Sequence, residues 1–99
     1  MDTYTPDRPF IAVEDMALFD AIGPDTSRKY GPKVKAAGIS NVDYKVRFGK
    51  LGSAHTMQPP PSCGRIFPGY VVVRKLGTPD QYETWMPEHV FEELYRSCG

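Results

Sequence analysis

Basic side chains crowd the middle of this sequence and are its strongest chemical signal. Residues 28–75 hold ten basic residues and one acidic residue, Asp43, whereas residues 1–27 hold six acidic and one basic, and residues 76–99 hold five acidic and one basic. Lysine and arginine bind anions, and a basic patch raises the local concentration of an anionic partner. The middle segment therefore predicts a positive face for such a partner or, alternatively, charges that pair with the acidic ends at the surface.

Six basic residues are predicted contacts for an anionic partner. They are Lys45, Arg47, Lys50, Arg65, Arg74 and Lys75. Alternation along a predicted strand places Lys45 and Arg47 side by side on its solvent face. We expect their reversal to glutamate to abolish binding and to leave the fold intact. Arg74 and Lys75 are neighbours in a second strand, so they point to opposite faces of the sheet.

Residues that could catalyse a reaction or bind a metal are few. His55 and His89 are the only histidines, and neither lies at the spacing of a metal site. Cys63 and Cys98 form no Cys-x-x-Cys pair; they favour free thiols in a reducing compartment, with a bridge between them as the alternative. Because nucleotide-binding and nucleophile motifs are also missing from the sequence, we expect no enzyme, no metal and no cofactor.

The hydropathy pattern predicts no membrane segment. The sequence contains no apolar run of the roughly 20 residues that a spanning helix needs. Its first residues, Met1-Asp2-Thr3-Tyr4, are polar and acidic, unlike a signal peptide. We therefore expect the protein in the cytoplasm of the cell that makes it.

The elements that position these residues predict an α+β fold. Apolar residues alternate over 42–48, which predicts a strand with one buried face. Further strands are predicted over 70–76, rich in β-branched residues, and over 82–86, after a short turn. These three strands form a small antiparallel sheet, packed against a C-terminal helix over 87–97 and a short N-terminal helix over 14–22.

The 99 residues predict a single domain spanning 1–99. Residues 1–9 are expected to form a mobile tail. Residues 49–68 are rich in glycine and proline and predict a long loop, which is either a plain spacer or a partner-binding loop. The oligomeric state is open, and a homo-oligomer is one alternative.

The last third of the chain carries a recurrent string of residues. It reads Gly69-Tyr70, then Val71-Val72-Val73, then Trp85-Met86-Pro87, then Phe91 and Tyr95. This string resembles the C-terminus of small accessory proteins encoded by tailed phages and prophages. The resemblance covers residues 69–96 and implies an origin more than an activity. Such proteins commonly bind and block a host component, for example as inhibitors of CRISPR complexes or as sponges for immune signalling nucleotides.

Three functions are compatible with these observations. The first is a phage-encoded inhibitor that binds a host protein, such as a defence complex, in the host cytoplasm. The second is a sponge for an anionic signalling nucleotide, which predicts a pocket lined by arginine, lysine and aromatic residues. The third is a structural or assembly accessory without a host target.

Overall fold

The computed structural model describes residues 10–52, 56–59 and 65–97. These residues form an α+β fold in which three α-helices accompany a five-stranded antiparallel sheet. A 3₁₀ turn at Val13–Asp15 comes first. The elements that follow are β1 (Ala17–Ala21), α1 (Pro24–Tyr30), β2 (Lys33–Gly38), α2 (Asn41–Leu51), β3 (Gly69–Arg74), β4 (Tyr82–Pro87), α3 (Glu88–Leu94) and β5 (Tyr95–Ser97).

The strands lie in the order β4-β3-β2-β1-β5, and each neighbouring pair is antiparallel. Three consecutive valines of β3, Val71–Val73, are fully buried. Because successive residues of a strand face opposite sides, this run requires cover on both faces of the sheet. The structure thus confirms the predicted β-branched strand and its hairpin partner, as β3 and β4.

One helix covers each side of the sheet. On the side that we call the α2 face, Tyr44 of α2 packs with Val71 and Val73. On the other side, the α3 face, Phe91 of α3 packs with Val72. The predicted packing of the C-terminal helix on the sheet is confirmed, but the second covering helix is α2 and not the predicted N-terminal helix over 14–22.

The residues of the C-terminal string contact one another. A side chain at Gly69 would collide with the ring of Trp85, which lies across it. The rings of Tyr70 and Phe91 stack with centroids 4.1 Å apart, and Phe91 meets Tyr95 at 5.3 Å. The spacing of this string therefore reflects packing between β3, β4, α3 and the start of β5.

The predicted strand over 42–48 is wrong, because these residues belong to α2. The Ser40 hydroxyl accepts a hydrogen bond from the Asp43 N–H at 3.1 Å and caps the helix. Such a cap supports the first helical turn, and the serine just ahead of this segment was the signal that the alternating pattern concealed.

The apolar alternation also misplaced the buried face of this segment. Tyr44 and Arg47 are fully buried, whereas Val42 and Val46 are 42% and 44% exposed. An arginine therefore occupies an inner position of α2 and two valines occupy outer ones, which is the reverse of what hydrophobicity predicts.

The predicted helix over 14–22 is wrong as well. Val13–Asp15 forms the 3₁₀ turn, and Ala17–Ala21 forms β1. β1 pairs with β2 on one side and with β5 on the other, and these long-range hydrogen bonds override the helical spacing. Met16 is buried, whereas Ile22 is 40% exposed, so the two ends of this segment do not share one buried helical face.

The C-terminal helix begins after Pro87 as predicted but is shorter than the predicted range 87–97. It ends at Leu94, whose carbonyl accepts a hydrogen bond from the Ile22 N–H at 2.7 Å. Tyr95–Ser97 then forms β5 at the edge of the sheet. Residues 95–97 thus form backbone hydrogen bonds with the free edge of β1 instead of continuing the helix.

Part of the predicted loop over 49–68 is ordered against the sheet. Its first three residues complete α2. The Glu83 N–H donates to the carbonyl of Thr56 at 2.9 Å, and the Gln58 N–H donates to the carbonyl of Glu83 at 2.8 Å. Met57 forms a parallel bridge with Glu83, so residues 56–58 run beside the start of β4.

The predicted mobile tail, 1–9, lies outside the described residues, as do residues 53–55 and 60–64 of the predicted loop. Within the described ranges, no helix combines the length and the apolar character needed to cross a membrane.

Candidate functional site

The six predicted contact residues do not share one surface. Lys45 and Lys50 are exposed on α2, and Arg65 is exposed ahead of β3. Arg47 and Arg74 are buried on opposite faces of the sheet. Lys75 lies in the turn after β3, which ends at Arg74, so its predicted place in a strand over 70–76 is wrong.

Arg47 is bound within the core on the α2 face. Its Nε lies 2.7 Å from Oε1 of Glu83, and its Nη2 lies 3.2 Å from Oε2. Its Nη1 donates to the carbonyl of Ile11 at 2.7 Å. The predicted solvent position beside Lys45 is therefore wrong for Arg47. Reversing it to glutamate would bury two carboxylates together, so this change is now expected to destabilise the fold.

Tyr44 extends this buried network. Its hydroxyl donates to the carbonyl of Gln58 at 2.5 Å and lies 3.5 Å from the carbonyl of Glu83. Burial raises the pKa of Tyr44, and the charge of Glu83 raises it further, while Arg47 lowers it. The network joins α2, β4 and residues 56–58, so it stabilises the packing of these three segments against one another.

A basic groove lies where the end of α1, the start of β2 and the turn after β3 meet. It encloses about 450 Å³ and is lined by Arg28, Lys29, Gly31, Pro32, Lys33, Lys75, Leu76, Thr78 and Asp80. Four of these side chains are basic and one is acidic. The register that pairs Lys35 of β2 with Val73 of β3 brings the two strand ends together.

Lys75 is held in the groove wall by its backbone. Its N–H donates to the carbonyl of Tyr30 at 3.1 Å, which ties the turn to α1. Its carbonyl accepts from the N–H and the hydroxyl of Thr78, at 3.2 Å and 2.7 Å. Its φ of 55° is left-handed, a conformation that costs a residue with a side chain about 1–3 kcal/mol. These bonds fix the turn despite that cost.

Two of the groove's bases have carboxylate neighbours. Arg28 lies 3.6 Å from Asp25, and Lys33 lies 2.5 Å from Asp20. These carboxylates lower the positive potential of the groove, but exposed ion pairs are weak, typically about 0–1 kcal/mol, so an anionic partner can displace them at little cost. The acidic N-terminal segment thus pairs in part with the basic middle, as one reading of the sequence expects.

The helices on the two faces carry opposite charges outward. α2 exposes Lys45 and Lys50, whereas α3 exposes Glu88, Glu92 and Glu93. Because these helices lie on opposite sides of the sheet, the basic middle segment and the acidic C-terminal segment present opposite charges on opposite faces there.

Arg74 lies in what we call the tyrosine cluster, formed with Tyr30, Tyr82 and Tyr95. Its Nε donates to the hydroxyl of Tyr95 at 3.1 Å, and its Nη1 donates to that of Tyr82 at 3.4 Å. Its guanidinium carbon lies 3.6 Å from the centroid of the Tyr30 ring. Burial raises the pKa of Tyr95, although the charge of Arg74 opposes the rise.

Three groove residues, Arg28, Lys29 and Lys33, were not among the predicted contacts. Their membership of the basic segment 28–75 was the available signal. Their convergence with Lys75 depends on the pairing of β2 with β3, which the sequence does not display.

His89 is exposed on α3, whereas His55, Cys63 and Cys98 lie outside the described residues. Within the described part of the chain, no three His, Cys, Asp or Glu side chains are grouped so that they could hold a metal ion. No family model, curated protein or solved structure matches this chain. The basic groove is the arrangement with the clearest chemical preference, and that preference is for an anion.

Proposed function

We propose that this chain is a phage-encoded accessory protein that binds an acidic surface of a host protein, such as a defence complex, and blocks it without catalysis. The observation that carries the proposal is the basic groove, in which four basic side chains and one acidic side chain surround about 450 Å³. The resemblance of the C-terminal string to small phage proteins supports the origin, and the host cytoplasm is the proposed place of action.

The groove suits an acidic protein surface because its cations are carried mainly by lysines. A lysine presents a compact charge on a flexible stem, which can follow an uneven surface. Lys29 is exposed at the end of α1, while the backbone of Lys75 is fixed by its bond to Tyr30. Complementary charges speed encounter and disfavour wrong partners more than they add affinity.

The test is capture of host proteins by the tagged full-length chain, with a groove variant beside it. The variant Lys29→Glu/Lys75→Glu reverses two groove charges. We expect the wild-type chain to enrich one host protein at near-stoichiometric yield and the groove variant to lose it. Binding to the purified host protein should weaken as salt concentration rises, because exposed charges are screened.

The matched control is Lys45→Glu/Lys50→Glu, which makes the same change of charge on the exposed side of α2. This variant should retain the host protein. Loss of capture by both variants would assign binding to net charge alone, and retention by the groove variant would overturn the proposal.

The size of the groove favours one alternative function, the nucleotide sponge. A volume of about 450 Å³ falls within the roughly 300–1,000 Å³ of small-ligand sites. Small molecules extracted from the same eluate test this alternative, since a co-purifying nucleotide without a host protein would favour it. An eluate that holds neither would favour a structural or assembly role, with the homo-oligomer as the form to look for.

A further inference from the structure

Arg74 is a buried cation without an acidic partner in the described part of the chain. Its exposed fraction is 8%, and its guanidinium contacts the rings and hydroxyls of tyrosines. Buried charges in proteins are usually paired. Apolar side chains of similar volume are often at least as stabilising as a buried charge, so stability alone does not account for Arg74.

One end of the Arg74 guanidinium remains open. Its Nε and Nη1 donate to Tyr95 and Tyr82, respectively. Nη2 donates to no group among the described residues. Every fully buried side-chain nitrogen in those residues has a hydrogen-bond partner. Nη2 is therefore not fully buried, although Arg74 as a whole is only 8% exposed.

The tyrosines hold this open end in place and add donors beside it. The Tyr30 ring lies 3.6 Å from the guanidinium carbon and restricts the movement of that group. The hydroxyls of Tyr82 and Tyr95 accept from Arg74, so each keeps its own proton for donation to another acceptor. A fixed cation with neighbouring donors is an arrangement that recognises an oxyanion.

Additional positive charge lies next to the tyrosine cluster. The Nζ of Lys29 is 5.3 Å from the centroid of the Tyr30 ring. Lys75 follows Arg74 in the chain and bonds the Tyr30 carbonyl through its N–H. A group with more than one negative charge gains from this surrounding field, which favours phosphate over a single carboxylate.

We propose that Arg74 and Tyr82 bind a phosphoryl group, which comes either from free inorganic phosphate or from a small ligand such as a nucleotide. Nη2 of Arg74 donates to the phosphate oxygens, and the Tyr82 hydroxyl donates to another. This site goes beyond the acidic-surface proposal, because it needs no host protein, and it gives a small anionic ligand a defined anchor.

The test is titration of the ¹⁵N-labelled full-length chain with sodium phosphate at constant ionic strength. The Nε–Hε resonance of Arg74 should shift and saturate. Adenosine monophosphate and adenosine are titrated in parallel. Tighter binding of the monophosphate identifies a nucleotide as the source, equal affinity identifies free phosphate, and adenosine should not bind. Absence of a saturable shift with phosphate and with the monophosphate would overturn the proposal.

Variants separate the site from general charge. Followed through the backbone amide of Lys75, phosphate binding should weaken on the order of tenfold or more in Arg74→Met. It should weaken less in Tyr82→Phe, which keeps the test open if the first variant fails to fold, and should be unchanged in the control Lys45→Met. Wild-type affinity in both cluster variants would refute the site. Because the probe is phosphate, failure here leaves the host-protein test unaffected.

Discussion

Two buried arginines in this protein meet the cost of burial in different ways. On the α2 face, Arg47 shares two bonds with the carboxylate of Glu83 and a third with the carbonyl of Ile11. On the α3 face, Arg74 meets only neutral tyrosine groups within the described residues. The charge of Arg47 is balanced by a carboxylate of the same chain. The charge of Arg74 is not balanced within the described residues, and its Nη2 donates to none of them.

Burial alone therefore does not assign a role to a charged residue. The Arg47–Glu83 pair is complete, so disturbing it should affect mainly stability. The environment of Arg74 is incomplete, so changing that residue should affect mainly binding. The two sites therefore make opposite predictions for the same kind of substitution.

The largest effect is expected for Arg47→Met. This change removes the cation that pairs with the buried carboxylate of Glu83, and breaking a buried ion pair from one side typically costs about 3–5 kcal/mol. Urea unfolding followed by circular dichroism measures the loss. The double variant Arg47→Met/Glu83→Leu should recover much of it, because no charge is then left buried. A loss below about 1 kcal/mol in the single variant would place this pair with ordinary surface pairs.

An intermediate effect is expected at alkaline pH. Tyr44 and Tyr95 have pKa values above the ordinary 10.0 because of burial, so the unfolded chain loses these protons first. Their contribution to stability is full below pH 10 and is lost as pH rises through the folded values. The loss reaches up to about 1.4 kcal/mol per pH unit for each tyrosine.

Thermal unfolding at a series of pH values from neutral upward measures this slope. Tyr44→Phe should make it shallower. Arg74→Met should raise the pKa of Tyr95 further, since Arg74 opposes that rise, and an ultraviolet titration of the tyrosines would show it. A stability that does not fall above pH 10 would contradict the burial argument on both faces.

The smallest effect on stability is expected for Arg74→Met. Because no buried carboxylate is left behind, the free energy of unfolding should stay within about 1 kcal/mol of the wild-type value or increase. The same urea unfolding measurement compares it directly with Arg47→Met. A loss as large as that of Arg47→Met would make Arg74 a structural residue and weaken the case for a phosphoryl site.

Local signals predicted the C-terminal part of the fold well. Its signals were the valine run of β3, the turn residues after it and Pro87 at the start of α3. Each of them determines the structure of residues only a few positions away in the sequence. The wrong predictions concern segments whose structure depends on contacts with residues far away in the sequence. Tyr44 and Arg47 turn inward because β4 supplies Glu83 and residues 56–58 supply a carbonyl.

The candidate site was predicted only in part, for the same reason. Lys75 and Arg74 were named from the basic segment, but the grouping of Lys75 with Lys29 and Lys33 depends on how β2 meets β3. The tyrosine cluster combines Tyr30, Tyr82 and Tyr95 from three separate elements. The composition indicated a positively charged segment, but which of its side chains lie close together depends on the strand pairing in the sheet.

Trp85, the single tryptophan, gives one face of the sheet its own optical signal. Its Nε1 donates to the carbonyl of Ile39 at 2.9 Å, and its ring packs on the α2 face. Indole fluorescence therefore reports loosening of that face, where Arg47 lies. The surroundings of Arg74 are rich in tyrosine and contain no indole, so the tyrosine bands of near-ultraviolet dichroism are the signal to follow there. Unfolding that begins on one side of the sheet would appear first in one spectrum and later in the other.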